Sequence, residues 1–76
     1  MAEESVEERE ERAENSTSAK ELEKLAKDKD EDVRYSVAVN ANTPVSLLEK
    51  LAKDESEGVR RNAANNPNTP VSPTAT

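Results

Sequence analysis

The feature that most constrains the fold of this chain is an internal repeat with a period of 26 residues. The sequence LEKLAKD at residues 22–28 recurs letter for letter at 48–54, and NTPVS at 42–46 recurs at 68–72. Self-similarity with a period of roughly 20–50 residues is typical of arrays in which each unit buries its apolar side against the next. We therefore expect a repeat architecture.

The repeat divides the chain into four parts. Repeat 1 occupies residues 17–42 and repeat 2 occupies residues 43–68. Residues 69–76 open a third unit that stops in mid-motif, because Pro73 stands where repeat 2 has a leucine. Such an ending is expected either of a frayed tail or of a piece of a longer array. Residues 1–16 carry seven acidic side chains and two arginines, and are expected to form either a polar cap helix or a disordered arm.

Each repeat is predicted to hold two short helices. Thr43-Pro44 marks the start of the first helix in repeat 2, because threonine caps free amides and proline fits a first turn. Ser18 is the equivalent cap in repeat 1, and Asp30 and Ser56 are the caps that start the second helices. Helices of about ten residues are marginal alone in water, so their stability must come from stacking. The expected fold class is all-α.

Apolar residues at helical spacing identify the expected core. In the first helices they recur at intervals of three and four residues, which places them on one face. In the second helices an apolar stripe is accompanied by alanines that allow helices to approach closely. The predicted core residues are Leu22, Leu25, Ala26, Val33, Val37, Ala38, Val45, Leu48, Leu51, Ala52, Val59, Ala63 and Ala64.

The composition excludes most catalytic chemistry. The chain has no cysteine and no histidine, so it has no disulfide, no zinc–thiolate site, no cysteine-held iron–sulfur cluster and no imidazole base. We therefore predict no enzyme activity and no cofactor. No apolar run reaches the ~20 residues that span a bilayer, and the acidic N-terminus does not resemble a secretory signal. We expect no membrane insertion and a cytoplasmic location.

Asp28, Asp30 and Asp32 have the alternate spacing that opens a calcium loop. Such a loop also needs a glycine at its sixth position and a bidentate glutamate at its twelfth, where this chain has Val33 and Val39. An acidic turn that leads into the second helix is the better interpretation. We therefore predict no metal site.

Four lysines are expected to stack as a small basic patch, and they are Lys24, Lys27, Lys50 and Lys53. They are candidate partner contacts, including contacts to nucleic acid. Nucleic-acid binding usually requires a larger basic excess together with aromatic or arginine side chains. Because neighbouring carboxylates dilute the positive field and the net charge is −6, a solvated charged face is the favoured interpretation.

Tyr35 is the single aromatic residue of the chain, and Val39 lies one turn later on the same side of its helix. At the repeat spacing, Arg61 follows Tyr35 and Arg9 precedes it. We predict that Tyr35 packs between these two guanidinium planes. The rival interpretation is an apolar patch for a protein partner, since aromatic residues are favoured at interface centres. Tyr35, Val39 and Arg61 are therefore candidate partner-binding residues.

The phrases NTPVSLLEKLAKD at 42–54 and VRRNAANNPNTP at 59–70 resemble the leucine-rich repeat variant family, and the resemblance covers residues 17–72. It implies paired short helical segments, one of them often 3₁₀, stacked into a right-handed superhelix in the style of HEAT repeats, in a mostly microbial family. One branch carries a cysteine-ligated iron–sulfur domain, which this chain cannot hold. The chain departs from the family pattern at Ala41, where proline is usual, and at Gly58, where glutamate is usual, which is expected to loosen both turns. The resemblance implies no catalytic residues.

A short right-handed α-solenoid of about two repeats is expected to act as a noncatalytic protein–protein interaction module. One alternative is a regulatory protein that binds or mimics nucleic acid, and another is a structural fragment of a longer array. About three repeats are usually needed for stable stacking. We accordingly expect a low melting temperature, or self-association through the uncovered repeat ends.

Overall fold

A computed structural model describes residues 4–70 of the chain. This part is built from helices and contains no strand, which confirms the predicted all-α class. Residues 1–3 of the expected N-terminal part and residues 71–76 of the expected third unit lie outside the described residues. The helices are α1 (Val6–Asn15), α2 (Ala19–Leu25), α3 (Glu31–Val39), α4 (Val45–Leu51) and α5 (Glu57–Asn65).

Equivalent sequences adopt equivalent helices in the two repeats. α2 and α4 each have seven residues, α3 and α5 each have nine, and each pair is displaced by 26 residues. The first helices end at alanines of nearly identical backbone, with φ/ψ of −66°/−15° at Ala26 and −66°/−10° at Ala52. Of the two expectations for residues 1–16, a helix and a disordered arm, the structure has a helix at Val6–Asn15.

α3 is the central helix of the described chain. It packs against α1 and α5, and these two pairs make the most extensive helix–helix contacts. α2 contacts α1 and α3, while α4 contacts α3 and α5. The buried apolar side chains form one cluster to which every helix contributes, and its members are Ala13, Leu22, Leu25, Val33, Val37, Ala38, Leu47, Leu48, Leu51, Val59 and Ala63.

The predicted core is wrong at Val45, whose side chain is 40% exposed. α4 buries Leu47 in addition to the expected Leu48 and Leu51. These three leucines lie on one arc of a helix with 3.6 residues per turn, and that arc leaves the first residue of the helix on its edge. The three leucines therefore determine which side of α4 is buried.

The predicted core is also wrong at two alanines. Ala52 is exposed at the C-terminal end of α4, and its counterpart Ala26 is only partly buried. Ala64 is exposed on α5, whereas its counterpart Ala38 on α3 is fully buried. α3 has α1 on one side and α5 on the other, but no helix among the described residues covers the corresponding side of α5. Equal sequence positions therefore differ in burial because they have different neighbours.

Side-chain caps fix the starts of three helices. α1 begins with a complete capping box, in which Ser5 accepts from the amide of Glu8 and the Glu8 carboxylate accepts from the amide of Ser5. Ser18 accepts from the amide of Glu21 at 3.2 Å, and the carboxylate of Asp30 likewise caps α3. Each bond satisfies an amide that has no partner within its own helix.

The predicted role of Thr43 as the cap of α4 is wrong. The N-cap of α4 is Pro44, which makes no side-chain capping bond. Thr43 is fully buried, and its hydroxyl donates to the carbonyl of Val37 at 2.7 Å. Thr43 therefore satisfies an acceptor near the end of α3 rather than a donor at the start of α4. Ser56 occupies the N-cap of α5 but also makes no side-chain capping bond.

Candidate partner-binding surfaces

Arginine side chains connect α1 with the turn before α3, and α3 with the turn before α5, in the same way. Arg34 on α3 donates from Nε and Nη2 to the two carboxylate oxygens of Asp54, at 2.9 and 3.3 Å. Arg9 on α1 makes the same two contacts with Asp28, at 2.7 and 3.4 Å. Nη1 of each arginine donates to a main-chain carbonyl that precedes the helix of that arginine. Arg34 donates to the carbonyl of Asp28, and Arg9 donates to the carbonyl of Glu4. Each guanidinium thus binds its own turn and the turn of the next repeat.

The charges in these contacts stabilise one another. Burial raises the pKa of the Asp28 carboxyl, but hydrogen bonds from the Asp30 amide and the Arg9 guanidinium outweigh burial and hold the pKa below its ordinary value. The hydrogen bond to Asp28 raises the pKa of Arg9, and the hydrogen bond to Asp54 raises the pKa of Arg34. Two-point contacts between a guanidinium and a carboxylate are strong and directional. They fix how neighbouring repeats meet.

Equivalent residues of α1 and α3 are 25 positions apart, one fewer than the sequence period of 26 residues. Arg9 corresponds to Arg34 by its contacts, and with this offset Ala13 corresponds to Ala38. Both of these alanines are fully buried. The register of α1 is therefore set by contacts that the 26-residue period does not reproduce.

Asparagine side chains make a second contact that recurs, first with the end of α1 and then with the end of α3. Asn40 donates from Nδ2 to the carbonyls of Ala13 and Ser16 at the end of α1, at 2.8 and 2.9 Å. Asn66 donates in the same way to the carbonyls of Ala38 and Asn40 at the end of α3, at 2.7 and 2.9 Å. Helix ends leave carbonyls without partners inside the helix. Each buried asparagine therefore satisfies two such acceptors, at the end of α1 for Asn40 and at the end of α3 for Asn66.

Tyr35 lies against the first turn of α5. A β-carbon built on Gly58 would lie 3.7 Å from Cδ2 of the Tyr35 ring. Arg61 binds Glu57 on its own helix at 2.8 Å. The guanidinium of Arg9 is bound at Asp28 and occupies the position equivalent to Arg34, and the packing of Tyr35 between Arg9 and Arg61 stays a prediction.

Tyr35 and Val39 lie one turn apart on α3 and are 43% and 39% exposed. Together with Val45 at the start of α4, they are the large apolar side chains that residues 4–70 expose. Arg61, the third residue of the predicted patch, is exposed at the position on α5 that corresponds to Tyr35. The structure therefore leaves the three predicted partner contacts accessible on adjacent helices.

The four candidate lysines are all exposed and make no ion pair within the described part of the chain, and they are Lys24, Lys27, Lys50 and Lys53. Exposed Glu23 and Glu49 each precede one of these lysines on α2 and α4. The lysines thus stand beside carboxylates, and the surface is of mixed charge rather than strongly basic.

A groove of about 500 Å³ lies between α1 and α2, and Lys24 contributes to its lining. Its two arginines are already bound. Arg12 contacts Glu4 at 2.7 Å and Glu21 at 3.3 Å, and Arg9 is held by its aspartate. Both guanidinium groups of the groove are therefore paired, whereas Lys24 makes no ion pair within residues 4–70.

The acidic turn is used for local hydrogen bonds. Asp28 accepts from the amide of Asp30 at 2.9 Å, and Asp30 accepts from the amide of Asp32 at 2.8 Å. Between residues 4 and 70, no group of three or more acidic side chains is placed to hold a metal ion. The turn shapes the start of α3.

None of the helices from α1 to α5 has the length and apolar character that crossing a bilayer requires. The sequence matches no protein-family model, no curated protein and no solved structure.

Proposed function

We propose that this chain is a noncatalytic protein–protein interaction module, built as a short right-handed α-solenoid whose repeats resemble the leucine-rich repeat variant family. The support for a solenoid is the order α1, α3, α5 and the recurrence of the same polar contacts at each step. Arg9 and Arg34 each bind the turn of the next repeat, and Asn40 and Asn66 each bind the helix end of the previous one. Stacked units of this kind form extended surfaces rather than enclosed pockets.

The observation that carries the binding role is the exposed pair Tyr35 and Val39 on the central helix. α3 is held by α1 on one side and α5 on the other, so the pair projects from a supported backbone. An aromatic side chain on a preorganised surface buries a large area at low entropic cost, and such residues are enriched among the contacts that dominate binding energy. Arg61 supplies a cation on the neighbouring helix.

Site-specific photo-crosslinking tests this function. A photoreactive phenylalanine derivative replaces Tyr35 in one version of the full chain and Val45 in another, since Val45 is equally exposed on a different helix. We expect a protein adduct that is specific to position 35. The purified partner should then bind Tyr35→Ala at least about tenfold more weakly than the parent chain, as for a typical hot-spot residue. Equal adducts at both positions, or an unchanged affinity, would rule the surface out.

The alternative role in nucleic-acid binding is separated by a second measurement. Gel shifts with mixed-sequence DNA and RNA are run from low to physiological salt, using the parent chain and a variant with Lys24, Lys27, Lys50 and Lys53 changed to Ala. Binding through phosphates weakens steeply with salt and depends on lysine or arginine. A salt-dependent shift that the lysine variant loses would favour the alternative, while no shift at low salt supports the protein-binding role.

A further inference from the structure

The outer side of α5 is built like the side of α3 that meets the next repeat. On α3 this side includes Arg34 and Ala38, which lie one turn apart and are at most 9% exposed. Their counterparts on α5 are Arg60 and Ala64, and both are exposed. The difference comes from the neighbours, because α4 and α5 pack on α3 and no helix in residues 4–70 takes that place on α5.

Arg60 is already held in the orientation that binds an aspartate elsewhere in the chain. Its Nη1 donates to the carbonyl of Asp54 at 2.7 Å, as Nη1 of Arg34 donates to the carbonyl of Asp28 at 2.8 Å. In Arg34 the remaining Nε and Nη2 edge binds a carboxylate. Within residues 4–70, the same edge of Arg60 contacts no carboxylate. This edge is an oriented pair of hydrogen-bond donors for two anionic oxygens.

The end of α5 offers the second half of the same contact. The carbonyls of Ala38 and Asn40 accept from the side chain of Asn66. Their counterparts are the carbonyls of Ala64 and Asn66, to which no side chain in the described range donates. The Asn66 carbonyl accepts from the Thr69 amide at 2.9 Å and has a second lone pair available.

A second copy of this chain is a poor occupant for the outer side of α5, because the groups that make the template contact are already used within each copy. Asp28 is bound by Arg9, and Asp54 is bound by Arg34. The side chains of Asn40 and Asn66 already donate to helix-end carbonyls of their own chain. A second copy would have to break these contacts before it could bind the outer side of α5.

We propose that the outer side of α5 docks a helical repeat of the same kind on a partner polypeptide. The partner unit presents an aspartate, from the turn between its two helices, to Nε and Nη2 of Arg60. It also presents an asparagine amide to the carbonyls of Ala64 and Asn66. The contacts between α3 and the second repeat are the template for both interactions. This site is separate from the Tyr35 surface and does not depend on it.

The first test supplies the partner unit covalently. In the full chain, residues 71–76 are replaced by a second copy of residues 45–70, which carries an aspartate and an asparagine at the required spacing. We expect the urea midpoint to rise relative to the parent chain. Arg60→Met should lower the folding equilibrium constant of the extended chain about tenfold more than that of the parent, because a charge-assisted pair is lost only there. Arg61→Met, on the same helix, is the matched control and should act equally in both.

An unchanged midpoint, or an equal effect of Arg60→Met in both chains, would overturn the proposal. If the extended chain lacks a cooperative transition, a fluorescent peptide of residues 45–70 is titrated with the parent chain and with Arg60→Met, and the absence of saturable binding to the parent likewise overturns it. A dimer of the parent that Arg60→Met dissociates would assign the surface to a second copy instead. These measurements use urea unfolding and peptide titration and not the adduct at position 35, so failure here is distinct from failure of the proposed function.

Discussion

Arg34 and Asp54 are twenty residues apart in the chain, yet their side chains meet through two hydrogen bonds and are each only 11% exposed. The contact ties the central helix to the turn that starts α5. Removing one partner of a nearly buried ion pair leaves the other charge with poor solvation, which is far more unfavourable than losing an exposed pair. The pair is therefore the most informative place to test the interface between repeats.

Arg34→Met should lower the free energy of unfolding by about 2–4 kcal/mol, because Asp54 and the Asp28 carbonyl both lose a charged donor. The matched control is Arg60→Met, which removes an exposed arginine from the equivalent position on α5. That change should lower stability by less than about 1 kcal/mol. Urea unfolding followed by circular dichroism measures both. Equal effects would mean that the Asp54 contact adds nothing to stability.

Asn66→Ala should lower the free energy of unfolding by about 2 kcal/mol. The change removes the donor for the carbonyls of Ala38 and Asn40, and both acceptors lie in a buried contact. Asn65→Ala, an exposed neighbour on α5, should stay within about 0.5 kcal/mol of the parent chain. Amide exchange should show faster exchange at the end of α3 in Asn66→Ala alone. Retained protection there would contradict the assigned role.

Gly58→Ala should raise the free energy of unfolding by about 0.5–1 kcal/mol. Gly58 lies inside α5 with no positive φ, so it needs no glycine backbone, and alanine is the better helix former. The new β-carbon would make ordinary contacts, at 3.7 Å with the Tyr35 ring and 3.8 Å with the Ser56 hydroxyl. Ala64→Gly, exposed on the same helix, should have the opposite sign. A loss of stability in Gly58→Ala would show that the ring does not tolerate the added methyl group.

Asp28 should make stability fall in acid. Its folded-state pKa lies below the ordinary value of about 4, so its contribution is present above that value and is lost as the pH falls through the lower, folded-state pKa. Asp28→Asn should therefore be less stable than the parent chain at pH 6, and the difference should shrink as the pH is lowered below about 4. Urea titrations at a series of pH values measure the difference. A difference that does not change with pH would exclude the ion pair as its source.

Glu10 should have the opposite pH dependence. Burial, followed by the negative charges of Asp32, Asp30, Glu7 and Glu14, raises the pKa of Glu10. The native state thus disfavours the ionised form, and this penalty is present above the raised pKa and absent below the unfolded-state value. Glu10→Gln should be more stable than the parent chain at neutral pH and equal to it in acid. Because part of the effect is repulsion between charges, added salt should reduce the neutral-pH difference.

The sequence predicts the paired helices well because the same local signals occur twice. The leucines of α2 and α4 have helical spacing, and Leu22 and Leu48 are nearly or fully buried. The period also places the asparagines at helix ends, where Asn40 and Asn66 form the contacts between layers. The period does not reveal which neighbours each helix has in the fold. Ala38 and Ala64 have the same local sequence role, but among the helices within residues 4–70 only Ala38 has one packed over it.

The buried polar residues depend on distant parts of the chain, which local patterns do not reveal. Arg34 is buried because its guanidinium finds a carboxylate from the next repeat and a carbonyl from its own turn. Thr43 resembles an N-cap in sequence, but its hydroxyl turns back to the carbonyl of Val37. The register of α1 also differs, because Arg9 aligns with Arg34 only after a shift of one residue from the period.

The placement of α3 between α1 and α5 also has a mechanical consequence. A force applied between α1 and α5 acts on two interfaces in series, α1–α3 and α3–α5. Each interface has one arginine–aspartate contact and one asparagine side chain that binds the end of the preceding helix. The weaker interface would part first while the other stayed intact. Extension should therefore occur in separate steps, each of which separates one helix–helix interface. The arginine–aspartate pair at each interface would set the force of that step.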